Sequence, residues 1–362
     1  MLDNQRIYQR IISIVNNREW EAYEATMQAF LNYLQAAPST LVAFASLVME
    51  TCPRGGTFFH TALSFLPMDD WLTVVDHAMV TLRRDPANKA AQSIIEYANL
   101  QCPAAIQPYE GELASLPDRL SLAAFDDPPA LYPAYALHMA FLAPYLSELL
   151  EKRSPKAEDR CHPTWVEAPR DASTFPFGGV SEAICGICSE RLQHIITFDR
   201  IPDGLGVTDL PTLELSVCLA CLSLGSGLLS YQHDERGHPH DISQGKRWPQ
   251  FADVRASFHF KPTSVALADL GPRWQRQDWG YSNRRENLHR IGGHPTWVQN
   301  AEYVPCPLCS NVSTFLMQLD EGLLIVDELT EDTWGWDWSG GDIGYILWCN
   351  SCKVSSFFDQ YT

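Results

Sequence analysis

Four Cys-x-x-Cys pairs constrain this chain of 362 residues more than any other feature of its sequence. The first two pairs supply Cys185, Cys188, Cys218 and Cys221, and the last two supply Cys306, Cys309, Cys349 and Cys352. A two-residue gap lets both thiolates of a pair face one ion, and two such pairs complete a tetrahedral zinc site of four cysteines. We therefore expect two zinc ions. Because four thiolates leave no coordination position for water or substrate, both ions are expected to be structural, and no catalytic residue is predicted.

The sequence around these pairs repeats itself. His162-Pro163-Thr164-Trp165-Val166 precedes the first set of cysteines, and the identical His294-Pro295-Thr296-Trp297-Val298 precedes the second. Aligned on Cys185 and Cys306, the chain continues for fifteen residues without a gap. This agreement predicts a duplicated unit. The pentapeptide histidines are interpreted as structural, with His162 beside Cys161 as an alternative metal ligand in the first copy.

The charge and the apolar content of the chain argue against two classes of partner. A formal net charge of −18 disfavours nucleic acid, whose phosphates require clustered Lys and Arg. No apolar run of about 18 residues is present, so no membrane span is expected. The first residues lack the apolar core of a signal peptide, which favours the reducing cytosol. The remaining cysteines, Cys52, Cys102 and Cys161, are predicted to be buried free thiols.

Periodicity and turn signals predict an α+β fold of four parts. Residues 1–125 form an all-helical domain, either a bundle or a short solenoid, and residues 126–160 form a linker and a bridging helix. Residues 161–290 form a first β-rich repeat with a zinc site and a basic connecting segment. Residues 291–362 form a second β-rich repeat with its own zinc site. Both repeats are expected to carry knuckles like those of zinc ribbons.

Three local elements follow from the same patterns. Asp85-Pro86 is a start signal for a helix that runs through Tyr97. Tyr135–Lys152 is predicted to be one helix, broken near Pro144. Phe315–Leu319 and Leu323–Val326, joined at Glu321-Gly322, have the pattern of a β-hairpin.

Several segments of the second repeat resemble the YwqG-like family. These are Arg290–Gln299, Cys306–Cys309, Phe315–Asp320 and Trp348–Ser355. That family is grouped, under the name TYPIN, with bacterial immunity proteins and with eukaryotic ribosomal-protein chaperones of the Tsr and programmed-cell-death types. The resemblance covers roughly residues 160–362, is closer in the second copy, and leaves out the helical N-terminus. It implies a duplicated β-rich unit that binds proteins, either to escort a client or to neutralise a toxin.

An acidic, tryptophan-rich segment is the predicted partner-binding surface. Asp320 to Asp342 contains eight acidic residues and no basic one. The predicted contact residues are Asp327, Glu328, Glu331, Asp332, Trp334, Trp336, Asp337 and Trp338. Alternating tryptophans lie on one side of an extended chain, and exposed aromatics among acids suit a basic protein partner. The alternative is that the tryptophans cover the core and the acids are only solvated.

A second cluster of polar residues, His233, Asp234, His238, His240 and Asp241, could supply ligands to a catalytic metal. Gly237 and Pro239 favour a flexible polar loop instead.

Taken together, these features predict a cytoplasmic protein that binds another protein. The favoured function is an immunity protein that neutralises a cognate bacterial toxin, a basic toxin domain, by direct binding and occlusion. One alternative is a chaperone for a basic client such as a ribosomal protein. The other is a metal-dependent hydrolase that uses the His233–Asp241 cluster.

Overall fold

A computed structural model describes residues 40–51, 66–113, 129–152, 167–223, 227–245, 258–269, 289–336, 338 and 343–361, with five single positions before residue 66. The chain divides into two compact units. The first comprises Met1–Asp126 and Gly280–Asn283, and the second comprises Asp127–Trp279 and Arg284–Thr362.

The first unit is helical in its described part. Its helices are α1 (Leu41–Thr51), α2 (Trp71–Arg84), α3 (Lys89–Gln101), α4 (Pro103–Ile106) and α5 (Glu110–Leu113). Apolar residues three and four positions apart give the longer helices a buried face, and these faces pack into one core. None of the described helices is long and apolar enough to cross a membrane.

The start of α3 differs from the Asp85-Pro86 prediction. Asn88 is the N-cap, because its side-chain oxygen accepts a hydrogen bond of 3.0 Å from the Ala91 amide. Its side-chain nitrogen donates to the Met49 carbonyl at 2.9 Å, which ties α3 to α1. Asn88 is buried and Asp85 is exposed, so the tertiary contact of Asn88 decides where the helix begins.

In its described part, the second unit is built on one antiparallel sheet of 13 strands. The strands are β1 (Ala136–Phe141), β2 (Thr174–Ile184), β3 (Arg191–Phe198), β4 (Leu213–Val217), β5 (Leu228–His233), β6 (Pro239–Asp241), β7 (Phe258–Asp269), β8 (Arg290–Gly292), β9 (Thr314–Leu319), β10 (Leu324–Asp327), β11 (Thr333–Gly335), β12 (Ile343–Cys349) and β13 (Val354–Gln360). Among the described residues of this unit, the α-helices are α6 (Ala143–Lys152) and α7 (Leu219–Ser223). The predicted combination of helices followed by a β-rich part is confirmed.

The strand order interleaves the two predicted repeats. It runs β4-β3-β2-β7-β1-β8-β9-β12-β13-β5-β6, and β10 pairs with β7 and β11. The Glu214 amide in β4 donates a hydrogen bond of 3.0 Å to the Gly237 carbonyl, in the turn between β5 and β6. This bond links the two ends of the sheet and makes it barrel-like. Because β5 pairs with β13, and β1 with β7 and β8, segments 161–290 and 291–362 contribute to one sheet.

The prediction of one helix over Tyr135–Lys152 is wrong for its first half. Ala136–Phe141 is strand β1, paired with β7 and β8, and only Ala143–Lys152 is helical. Met139, Ala140 and Phe141 are all buried, so the strand lacks the alternation of a half-exposed strand. A continuous apolar run of this kind does not distinguish a strand from a helix.

The predicted hairpin between β9 and β10 is also wrong. β9 pairs with β8 and β12, whereas β10 pairs with β7 and β11. Leu323, Leu324 and Ile325 are fully buried and therefore need cover on both faces. The Leu324 amide donates to the Tyr145 hydroxyl at 2.9 Å, which fastens β10 to α6.

Trp338 belongs to the core of the sheet unit. Its side chain is 2% exposed, and its Nε1 donates to the Asp320 carbonyl at 3.1 Å. Its ring centroid lies 6.3 Å from that of Phe260. Gly344 makes room for it, since a Cβ there would lie 3.0 Å from the ring. The expectation of three tryptophans on one exposed side is therefore wrong for Trp338.

Truncating Trp338 is expected to destabilise the sheet unit strongly. Trp338→Ala removes a fully buried ring and should lower the free energy of unfolding by about 3–5 kcal/mol. Trp334→Ala is the matched control and should cost less than about 1 kcal/mol, because that side chain is 39% exposed. Urea unfolding of both variants measures the difference, and equal losses would contradict the assignment of Trp338 to the core.

Candidate metal centres and the surfaces around them

The first candidate metal centre is the cluster of Cys185, Cys188, Cys218 and Cys221. Cys185 follows β2, Cys218 follows β4, and Cys221 lies in α7. All four Sγ atoms lie within 4.8 Å of one another. The Cys185–Cys221 and Cys188–Cys218 sulfur pairs are 3.7 Å and 3.6 Å apart. The structure therefore brings the whole predicted ligand set together.

The second candidate metal centre is the cluster of Cys306, Cys309, Cys349 and Cys352. The first two cysteines lie in the turn before β9, Cys349 ends β12, and Cys352 lies in the turn to β13. Their Sγ atoms also lie within 4.8 Å of one another, with Cys309 and Cys349 separated by 3.7 Å. This predicted set converges as well.

The first Cys-x-x-Cys turn has the same backbone geometry in both centres. The Ser189 amide donates to the Cys185 carbonyl at 2.9 Å, and the Ser310 amide donates to the Cys306 carbonyl at 2.9 Å. Both serines have a left-handed backbone, with φ of 62° and 60°. This tight turn aims the two sulfurs of each pair at one point.

The second pair of cysteines differs between the centres. Cys218 directly precedes helix α7, and Cys221 lies within it. Cys349 and Cys352 are instead joined by a turn that ends at Lys353, whose φ is 53°. The two centres thus share half of their backbone framework.

The sulfur spacing suits a single tetrahedral ion. Metal–sulfur bonds of about 2.3 Å in a tetrahedron give sulfur–sulfur edges of roughly 3.8 Å. The observed separations of 3.6–3.7 Å are close to this value. A disulfide would require about 2.05 Å, and none of the eight cysteines is in a disulfide. With four sulfurs on one ion, neither centre offers a position to substrate.

Without a cation, the thiols of each cluster hold their protons unevenly. The hydrogen bond between Cys185 and Cys188 lowers the pKa of Cys188 far below its usual value and raises that of Cys185. In the second centre, the Asn311 amide lowers the pKa of Cys309, and the bond to Cys309 raises the pKa of Cys352 to about 12. Each cluster without a cation therefore favours a state with one thiolate over a state with four thiolates. Only a cation can offset the repulsion among four thiolates. Metal binding must displace protons and weaken as the pH falls.

The His233–Asp241 segment comprises the last residue of β5, a hydrogen-bonded turn and strand β6, so the prediction of a flexible loop is wrong. The buried ring of His233 lies 2.8 Å from the Ser355 hydroxyl and 3.1 Å from the Gly237 carbonyl. Asp241 accepts a hydrogen bond of 2.8 Å from the Gly186 amide, inside the first Cys-x-x-Cys turn. The segment therefore braces the first metal centre.

The same segment does not assemble the metal site that the hydrolase alternative requires. His238 Nδ1 lies 3.2 Å from Glu214, and His240 Nε2 lies 3.9 Å from Asp234, so the two rings face different carboxylates. Among the described residues, the groups of three or more His, Cys, Asp or Glu ligands that could share one ion are the two four-cysteine clusters.

Glu214 is a partly buried carboxylate that no sequence motif marks. It accepts hydrogen bonds from the hydroxyls of Ser181 and Ser216 and faces His238. Burial opposes its charge, but these contacts outweigh burial and lower its pKa. Glu214 and His238 line a cleft of about 590 Å³ between β2, β4 and β6. The only hint in the sequence is a charged residue within the alternating strand pattern Leu213–Val217.

The second HPTWV pentapeptide, residues 294–298, packs into the sheet unit, in keeping with the structural interpretation of its sequence. His294 and Thr296 are buried, and the Tyr345 hydroxyl donates to the Thr296 carbonyl at 2.6 Å. The Trp297 ring packs 4.8 Å from the Tyr345 ring. Residues 162–166, Cys52 and Cys161 lie outside the described residues, and Cys102 is a partly buried free thiol.

The predicted partner-binding residues divide into exposed and internal ones. Glu328, Glu331 and Asp332 are exposed in the β10–β11 turn (Glu328–Asp332), and Trp334 is 39% exposed in β11. Leu329, which no sequence pattern marks, is 82% exposed in the same turn.

The other predicted partner-binding residues support the hairpin from within. The Asp327 carboxylate accepts hydrogen bonds from the Leu329 and Thr330 amides at 2.7 Å and 3.1 Å. Trp336 is half-buried, its ring 5.4 Å from that of Phe258, and Trp338 lies in the core. Asp337 lies outside the described residues.

One curated relative is similar to a short part of the chain. Over 73 residues the chain is 34% identical to a protein of Salmonella typhimurium described as uncharacterized protein YpfL. The similarity covers 20% of this chain and 15% of that protein. No protein-family model matches the chain, and no solved structure matches it. A similarity this short assigns neither a family nor a function.

Each cysteine cluster is expected to hold one ion, and each ligand to be necessary for it. The wild-type chain should carry about two metal ions, and Cys306→Ser about one, with an earlier unfolding of the sheet unit. Cys102→Ser is the matched control and should keep both ions, because Cys102 lies in neither cluster. Elemental analysis of the purified proteins measures this. One ion or none in the wild type would contradict two metal centres.

The buried His233 is expected to make stability depend on pH. Desolvation lowers its pKa from 6.5 to about 4, so between these values the unfolded chain binds a proton that the folded chain does not. Stability should therefore fall as the pH drops from about 6.5 to about 4, by up to about 3 kcal/mol.

His233→Gln should remove this part of the pH dependence. His238→Gln should keep it, because the His238 side chain is 57% exposed. Thermal unfolding of both variants at pH 7 and pH 5 measures the difference. Metal binding also depends on pH, but it contributes equally to both variants and cancels in the comparison. An unchanged pH profile in His233→Gln would contradict the assignment.

Proposed function

We propose that this protein binds and inhibits another protein, and that it does so as an immunity protein that neutralises a basic bacterial toxin by occlusion. The observation that carries this proposal is the acidic surface of the sheet unit, where Glu328, Glu331 and Asp332 are exposed in the same turn as the exposed Leu329. Residues 294–362 contain ten acidic residues and one basic residue, Lys353. Such a surface attracts a basic partner and repels an acidic one.

The ions of the two centres are proposed to be Zn²⁺. Four cysteine sulfurs at tetrahedral spacing are the preferred ligands of structural zinc. A single iron ion would accept the same four sulfurs but would colour the protein. A colourless protein whose elemental analysis returns zinc would support the proposal, and a coloured, iron-loaded protein would overturn it.

The two centres are proposed to descend from one duplicated unit. The shared turn at Cys185 and Cys306, with its left-handed serine, supports this proposal beyond the aligned sequence. The closed coordination of both centres supports a role as scaffold. Thiols rather than disulfides at these positions also favour a reducing compartment, and we propose the cytoplasm.

The choice of an immunity protein rests on the resemblance of residues 160–362 to the YwqG-like family. Within that resemblance, a chaperone for a basic client such as a ribosomal protein is the second candidate, because the same acidic surface would suit it. The two candidates differ in what the loss of the protein does to the cell: an unprotected toxin kills, whereas an unescorted ribosomal protein impairs ribosome assembly.

Reversing the charge of the turn is expected to abolish protection from the toxin. Glu328, Glu331 and Asp332 are changed together to Lys, and the chain is co-expressed with a basic toxin encoded beside its gene. The variant should lose at least about tenfold in affinity for the toxin and no longer restore growth, because attraction becomes repulsion. The matched control changes Glu167, Asp171 and Glu182, also exposed, to Lys and should still protect.

Two outcomes decide between the candidates. If the wild-type chain neither binds nor neutralises such a toxin, the immunity function is overturned. If deletion of the gene leads to accumulation of ribosome-assembly intermediates, measured by sucrose-gradient profiles, the chaperone function is favoured.

A further inference from the structure

We infer that Leu329 is the apolar anchor of a docking surface for a basic segment of the partner protein, a segment whose cationic side chains flank an apolar face. This inference rests on the proposed function and specifies the chemistry of the partner.

Leu329 is more exposed than any other large apolar side chain in the described part of the chain. It is 82% exposed, whereas Leu308 and Val312 beside the second metal centre are 51% and 53% exposed. A leucine in water gains nothing for the folded state, but it gains free energy when a partner covers it.

The turn holds the backbone at Leu329 in one conformation. The Asp327 carboxylate accepts from the Leu329 amide, the Asp327 amide donates to the Asp332 carbonyl at 3.0 Å, and the Glu331 amide donates to the Asp327 carbonyl at 2.9 Å. Glu331 has a left-handed backbone with φ of 60° that closes the turn. A loop whose backbone is ordered before binding loses little backbone entropy when a partner covers it.

The base of the hairpin is as well supported as its turn. The three residues Leu323, Leu324 and Ile325 are fully buried, and Tyr145 fastens the Leu324 amide. Ile325 pairs with Trp334 across the two strands, and the Trp334 ring packs 6.5 Å from Phe258. The turn therefore projects from a rigid support.

The charges around Leu329 select the partner. Glu328, Glu331 and Asp332 are exposed beside it, and Glu328 faces His259 at 3.4 Å. A partner that buries Leu329 must approach these carboxylates, so its own apolar face needs basic neighbours. A second copy of this acidic chain, with its net charge of −18, is a poor occupant of the surface for the same reason.

Two synthetic peptides of equal length and charge test the inference. One is a lysine/leucine peptide with an apolar face, and the other is a lysine/serine peptide without one. Fluorescence anisotropy of labelled peptides measures their affinity for the full-length wild type, Leu329→Ser and Leu72→Ser. Leu72→Ser is the matched control, since it removes another exposed leucine, one that lies in α2 and is 48% exposed. Thermal unfolding verifies that all three proteins are folded.

The wild type should bind the lysine/leucine peptide at least about tenfold more tightly than the lysine/serine peptide. Leu329→Ser should lose this preference and keep the weak binding of the lysine/serine peptide, whereas Leu72→Ser should match the wild type. Equal affinities of Leu329→Ser and wild type for the lysine/leucine peptide would overturn the anchor and leave the proposed function standing. If neither peptide nor any basic protein binds the wild type, both are overturned. Light scattering that shows a dimer lost in Leu329→Ser would instead make the surface a self-interface and overturn the inference.

Discussion

Four sulfur atoms within 4.8 Å of one another cannot all carry negative charge unless a cation lies among them, and the sheet unit contains this arrangement twice. The constraint acts on the fold because three of the cysteines, Cys185, Cys218 and Cys349, lie at strand ends. Cys218 follows β4 at one end of the strand order, and Cys349 ends β12 near the other. An ion at each centre thus ties a strand to a turn that is distant in sequence.

Hydrogen bonds link the first metal centre to the strands around it. The carboxylate of Asp241 in β6 holds the Gly186 amide of the cysteine turn, while the Gly237 carbonyl accepts from Glu214 in β4. The histidine-rich segment between them therefore helps to close the barrel-like sheet. Residues that resemble a catalytic cluster in the sequence thus serve the scaffold.

The acidic segment from Asp320 to Asp342 has three physical roles. The Asp327 carboxylate accepts hydrogen bonds from the turn amides, and Trp338 fills the core. Glu328, Glu331, Asp332 and Leu329 are left in solvent. The roles differ because β10 is buried where it pairs with β7, whereas the β10–β11 turn lies beyond the last of these pairs, Asp327 with Phe258.

The sequence by itself determined the metal ligands, because the Cys-x-x-Cys spacing is a local geometric requirement and both sets of sulfurs converge as predicted. It also determined that helices precede a β-rich part, because the spacing of apolar residues is visible within a short window of sequence. Only the tertiary structure decided that Ala136–Phe141 is a strand, that β10 leaves β9 for β7, and that Trp338 is buried while Leu329 is not. Each of these depends on which distant strand covers a given face, and burial on both faces erases the alternation that would have revealed it.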